Sequence, residues 1–168
     1  MLRSAGYDIV FREVPDETTL AVNIAACPFR CPGCHSPYLQ EDAGEPLDEA
    51  AVEAMVKKYG GGITCFAFMG GDADPAEVGR LARFVKARWP TLKVAWYSGR
   101  ETFDDAEVLA AIDYLKLGPY RRELGGLDSP ATNQRFWRLL KDGTREDLTP
   151  RFWRNARVGG TRGVFRED

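Results

Sequence analysis

An α/β fold with mostly parallel strands is what this chain predicts, and two observations carry it. Between residues 19 and 117, short apolar strand patterns alternate with amphipathic helix patterns, as βαβ units with right-handed crossovers require. Each irregular stretch rich in Cys or Gly also follows the carboxyl end of one of those strands, where parallel sheets bind their ligands. The 168 residues suit a single domain, assigned to 1–155, with 156–168 as a flexible tail.

In chain order, Tyr7 to Val14 reads as a first strand, turned by Pro15-Asp16-Glu17. Leu20, Val22 and Ile24 alternate within Thr19 to Ala25, a second strand that runs directly into a Pro-, Gly- and Cys-rich loop over 27–46. A loop that long in a compact domain is functional or disordered, and its cysteines favour function. Leu47 to Tyr59 is predicted helical, because Val52, Met55, Val56 and Tyr59 fall at i, i+3, i+4 and i+7. Asp48 is placed to cap it and Gly60-Gly61-Gly62 to stop it.

Ile63 to Met69 is a near-continuous apolar run, the pattern of a strand buried on both faces, and ends at Gly70-Gly71. The next helix has Asp74 as cap, Pro75 at its first position and Glu77 to complete a capping box. Val78, Leu81, Ala82 and Val85 form its apolar face, and Trp89-Pro90 closes it. Lys93 to Ser98 then reads as a strand, Asp105 to Ile112 as a short helix and Asp113 to Leu117 as a strand ending at Gly118-Pro119. Asn133 to Lys141 is predicted as a last helix.

Composition excludes several functions. With 44% apolar and 29% charged residues the chain is globular, and a formal charge of −2 without Lys/Arg runs argues against nucleic acid and membrane surfaces as partners. No apolar stretch approaches the roughly 20 residues that span a bilayer. Residues 1–8 lack the apolar core of a signal peptide, so a cytoplasmic address is expected, where clustered thiols stay reduced and bind metal or do chemistry.

Cys27, Cys31 and Cys34 are spaced C-x3-C-x2-C. A cube of four irons is usually closed by four cysteines; a triplet leaves one iron free for a substrate or cofactor. Zinc bound by the three thiolates and His35 is the alternative, although neighbours such as Cys34 and His35 seldom reach one tetrahedral ion together. Cys65, alone within an apolar strand, reads as a small core residue.

The stretches CPFRCPGCHSPYL at 27–39, FMGGD at 68–72, VAWYSG at 94–99, YLKLGPY at 114–120 and NQRFW at 133–137 resemble the radical S-adenosylmethionine (SAM) superfamily. More narrowly, they are similar to the small activating proteins of anaerobic (class III) ribonucleoside-triphosphate reductase, over about residues 8–140. The resemblance implies a short, incomplete β/α barrel. In it Cys27, Cys31 and Cys34 hold a 4Fe–4S cluster, and SAM chelates the fourth iron. Reductive cleavage of SAM would yield a 5′-deoxyadenosyl radical, which takes a hydrogen from one glycine of the partner reductase. An electron donor such as flavodoxin or ferredoxin is implied as well.

The same resemblance makes Gly70, Gly71 and Asp72 a GGE-type SAM-binding motif, where the bare backbone admits a ligand and strand-end carbonyls accept from its ammonium. For the glycines alone, a tight strand-to-helix turn is an equal alternative, and their expected proximity to the cysteine loop favours binding. Two departures stand out. The proline that usually follows the acid comes only at Pro75, after Ala73-Asp74, and Gly33 replaces the aromatic residue many members place before the third cysteine, leaving His35 or Tyr38 to supply a ring near adenine. Ser98 is expected to bond a ribose hydroxyl or the SAM carboxylate, and Lys116 to neutralise that carboxylate; side chains turned to solvent are the plain alternative for both. With only Cys65 outside the triplet, no second cluster can be built. Another glycyl-radical enzyme such as pyruvate formate-lyase as partner, or a non-catalytic iron–sulfur or zinc module, are the competing functions.

Overall fold

The computed structural model describes residues 1–153. In chain order the elements are β1 (Leu2–Val10), β2 (Thr19–Ile24), β3 (Glu45–Leu47), α1 (Glu49–Tyr59), β4 (Cys65–Met69), α2 (Pro75–Arg88), β5 (Lys93–Tyr97), α3 (Ala106–Leu109), β6 (Tyr114–Leu117), β7 (Arg135–Leu139) and β8 (Arg145–Asp147). Residues 149–153 are helical, and the expected tail at 156–168 lies outside the described residues. No helix among the described residues is long and apolar enough to cross a membrane.

The eight strands form one open, mixed sheet in the order β3-β1-β2-β4-β5-β6-β7-β8. Parallel pairing, expected of most of the sheet, is confined to the middle, where β2, β4, β5 and β6 run side by side. Both flanks are antiparallel. The βαβ logic holds where a helix pattern separates two strands; on the flanks no helix crossover intervenes between paired neighbours. There β1–β2 and β7–β8 fold back on each other, β3 returns to β1 after the cysteine loop, and β7 returns to β6 through residues 118–134.

The helix starts follow from local chemistry. Asp48 accepts from the Ala51 N–H at 2.8 Å and Asp74 from the Glu77 N–H at 3.1 Å, so both caps form. The capping box at α2 stays half-made. Glu77 turns to Arg80, at 2.8 and 2.9 Å, and the Asp74 N–H donates to the Gly71 carbonyl instead.

Several elements depart from expectation. Strand β3 forms at the end of the expected loop and takes Leu47 from the expected helix, and the helix expected over Asp105–Ile112 is confined to Ala106–Leu109. Strand β8 and the helix at 149–153 are additions to the expected elements. Two further differences have a clear cause. The first strand starts at Leu2 and ends at Val10, the last residue that β2 can pair, so Val14 leaves the strand and becomes fully buried on the far face of the sheet. The helix expected over 133–141 is strand β7, paired antiparallel to β6. Asp142-Gly143 turns the chain directly after it, with Gly143 at φ +84°, and β8 returns alongside. A D-G turn ends the segment before a helix would stabilise itself, and the open edge of β6 supplies a ladder for it.

The strands bury different chemistry on their two faces. Val22, Phe68, Trp96 and Leu115 are successive partners across the sheet, all with zero exposure, and pack with Val52, Val56, Val78, Leu81 and Val85 of α1 and α2. On the opposite face Cys65, Ala67, Ala95, Tyr114 and Phe136 meet Val14, Leu148 and Phe152, which cover it from loop and C-terminal segments.

Candidate metal centre

The period of two in a strand sends the neighbours of the helix-side row to the other face. There Asn23, Met69, Tyr97 and Lys116 are also successive partners, one at or near the carboxyl end of each parallel strand. All four line a cavity of about 210 Å³, and Cys27, Cys31 and Cys34 close it from above. The sheet provides the floor and the loop after β2 provides the thiols.

Hydrogen bonds fix that loop at its base. The Cys27 N–H donates to the Leu39 carbonyl at 2.8 Å and the Ala26 N–H to Glu41 at 3.0 Å, which joins its two ends. Within it the Cys34 N–H donates to the Cys31 carbonyl at 3.1 Å, and the Ser36 N–H to Cys34 Sγ at 3.4 Å. The three thiols are free and half-buried. Burial pushes the Cys27 thiol up, against the pull of the Phe29 N–H, and the negative charge of Asp72, Cys31 and Cys34 adds to the rise.

The donor set at the cavity is three thiols without a histidine. Among the described residues no three His, Cys, Asp or Glu side chains gather closely enough to hold a single metal ion. Each thiolate of a cubane binds a different iron, so its sulfurs stand further apart than those around one zinc. His35 is exposed and stands 5.2 Å, ring to ring, from Tyr120; it does not line the cavity and is no fourth ligand there. Cys65 has zero exposure within β4, and burial raises its thiol far above the ordinary range, so it is a core residue.

Of the other residues singled out, Gly70, Asp72, Ser98 and Lys116 line the cavity with the cysteines. Gly71 does not. At φ +96° it turns toward α2, and a Cβ there would stand 2.7 Å from Val78 Cγ2, so packing explains it. Gly70, at φ +108°, has its Cβ direction against the Ile24 carbonyl at 3.2 Å, and its own carbonyl accepts from Trp96 Nε1–H at 2.9 Å. Asp72 is 4% exposed and committed within the protein. Oδ1 accepts from the Ser98 hydroxyl at 2.6 Å and Oδ2 from the Gly99 N–H at 2.9 Å. Arg100 donates to the Asp72 carbonyl at 3.0 Å, and its Nε lies 3.4 Å from Oδ1. The Ser98 hydroxyl, engaged by Asp72 and accepting from the Arg100 N–H at 3.1 Å, has no proton left to give a ligand.

Lys116 has a different surplus. Its ammonium donates to the Ser98 carbonyl at 3.2 Å and to the Gly118 carbonyl at 2.6 Å, which leaves one of its three N–H donors uncommitted. Burial lowers its pKa to about 8, while Asp72 and the three cysteines act in the opposite direction. A buried cation beside three thiols is where an anion would be held.

Sequence reasoning missed the cavity-lining Asn23, Phe29, Tyr97 and Tyr120, and left Gln134 without a role. Period-two alternation from Val22 was the available signal for Asn23, and from Trp96 for Tyr97. Phe29, Tyr97 and Tyr120 are the aromatic rings that line the cavity, and neither His35 nor Tyr38, the latter 55% exposed, does so. Gln134, 6% exposed, reaches the cavity from the start of β7 and donates to the Gly118 carbonyl at 3.4 Å.

Comparison with known proteins adds one finding. The family model for 4Fe-4S single cluster domains matches residues 18–136, a span that begins just before β2, contains the three-thiol loop and all four parallel strands, and ends in β7. No curated protein and no solved structure gives a significant match. The triplet loop, the cavity under it and a match over most of the chain agree: this chain belongs to the family of 4Fe-4S single cluster domains.

Proposed function

We propose that the chain is a radical SAM activating enzyme, an oxidoreductase that installs a glycyl radical on anaerobic (class III) ribonucleoside-triphosphate reductase. One observation carries the reading: three thiols, not four, surround a cavity at the carboxyl ends of parallel strands, and a buried lysine with a spare donor faces the same space. A closed electron-transfer cluster is held by four protein ligands and needs no cavity beside it.

Held there by Cys27, Cys31 and Cys34 and reduced by an external one-electron donor, a 4Fe–4S cluster would supply the chemistry of reductive SAM cleavage, giving methionine and a 5′-deoxyadenosyl radical for abstraction of a glycine α-hydrogen. The chain's own residues do the positioning. Cys27, Cys31 and Cys34 hold three corners of the cluster. Lys116 directs its free N–H at the carboxylate of SAM, a charge-assisted contact made by a buried ammonium. Gly70 lets the ligand approach bare backbone, and Tyr120 offers a ring face to adenine. Asp72 and Ser98 act on the backbone of the site and not on the ligand, a change from the roles their motifs suggest. The open sheet is read as a partial barrel whose unclosed side admits the glycine loop of a large partner. An electron donor of the flavodoxin or ferredoxin type and a reducing, cytoplasmic setting complete the reading.

The test is anaerobic incubation with SAM, dithionite and, in parallel, either the reductase or pyruvate formate-lyase, followed by electron paramagnetic resonance. A glycyl doublet on the reductase is the expected result. A doublet only on pyruvate formate-lyase would reassign the partner, and loaded protein that leaves SAM intact would remove the enzyme reading.

A further inference from the structure

The segment that carries Cys27 has an unusual backbone. Ala26 at φ +59° and Arg30 at φ +44° are non-glycine residues in the left-handed region, one on each side of the Cys27-Pro28-Phe29 step. Such conformations persist only where surroundings hold them. Base hydrogen bonds hold Ala26, but none reaches Phe29 from the far side of the cavity. Its side chain makes the connection. The Phe29 ring occupies the space over Gly99, where a Cβ would lie 2.5 Å from Cδ2, 2.9 Å from Cε2 and 3.1 Å from Cγ. Gly99 in turn is held by its N–H on Asp72 Oδ2 at 2.9 Å, and Asp72 is held by Ser98 at 2.6 Å.

We propose that Asp72, Gly99 and Phe29 form a latch that fixes the Cys27 arm of the cysteine loop onto the end of β5. In this arrangement Asp72 and Gly99 are positioning residues for the cluster. The carboxylate sets the Gly99 peptide, the peptide presents a bare surface, and the ring two residues from Cys27 seats on it. The inference rests on the cluster-domain family and does not need SAM chemistry. Gly99 does not have a left-handed φ, so alanine there tests contact with the ring and not backbone strain.

The experiment reconstitutes the wild-type chain, Gly99→Ala, Phe29→Ala and the double variant anaerobically, and follows iron release to a chelator together with visible absorption. Supporting partners of metal ligands typically matter by roughly 10–100-fold, and release from Gly99→Ala is expected to be faster by about tenfold, with cluster-free melting essentially unchanged. In the Phe29→Ala background the Gly99→Ala change should have no further effect, because its target is gone. Equal release from Gly99→Ala and wild type, or the same acceleration with and without the ring, would overturn the latch while leaving the cluster in place. A wild-type chain that takes up no iron would overturn the cluster assignment, and the latch with it.

Discussion

The four parallel strands have two faces built to opposite rules. Val22, Phe68, Trp96 and Leu115 look toward the helices, uniformly apolar and without exposure; one residue further along each strand, Asn23, Met69, Tyr97 and Lys116 look into the cavity. The first row removes large side chains from water and holds the sheet to α1 and α2. The second includes a lysine whose burial costs stability and whose value is what it can bind. One set of strands thus separates stability from chemistry by parity, and substitutions on the two faces should fail differently.

The largest contrast is expected between a thiol and a core ring. Cys27→Ala, Cys31→Ala or Cys34→Ala should each abolish stable cluster uptake, measured as iron and sulfide per chain, while shifting cluster-free stability by only about 1 kcal/mol. Phe68→Ala should do the reverse. Emptying a fully buried site costs about 3–5 kcal/mol in denaturant unfolding, and the folded fraction should still load iron. Full loading of a single-cysteine variant would break the comparison.

Lys116 sharpens it next. Lys116→Ala should weaken SAM binding by calorimetry and leave iron content unchanged; unaltered affinity would remove Lys116 from the ligand site. Its titration gives a second readout in the cluster-free protein. The folded pKa of about 8 lies below the ordinary 10.5, so between those values the unfolded chain binds more protons than the folded one. The stability contributed by Lys116 should therefore rise as pH climbs from about 8 to 10.5. The stability of wild type relative to Lys116→Met should rise over that window, and a flat profile would contradict the buried position. The smallest effect belongs to the periphery: Asp48→Ala removes an exposed helix cap and should cost about 1 kcal/mol by thermal unfolding, with no change in iron or SAM.

Much of the site was legible before the structure, for a physical reason. Three cysteines so close in sequence share a loop whatever the fold, and glycines after apolar runs mark strand ends. The central strands and helices were readable too, because the strands and the two longer helices have the period of their own element and α1, α2 and α3 each carry an aspartate cap at their start. What could not be read were choices made by distant partners. Residues 135–139 contain apolar positions that satisfy a helix as well as a strand, and the free edge of β6 decides between them. Asp72 and Ser98 stood at strand ends as ligand contacts should, yet they lie 26 residues apart in sequence and bind each other. The Phe29–Gly99 contact joins two loops 70 residues apart and left no periodic trace. Gly71 could not be told from Gly70, since one faces α2 and the other the cavity.

The central claim is a cluster with one corner left open by the protein. The most direct measurement is anaerobic reconstitution with iron and sulfide, addition of SAM and dithionite, and chromatographic quantification of 5′-deoxyadenosine and methionine. The account predicts both products in equal amounts, and none from a variant lacking Cys27, Cys31 or Cys34. A fully loaded protein that leaves SAM uncleaved, with every iron of its cluster ligated by the chain, would contradict it.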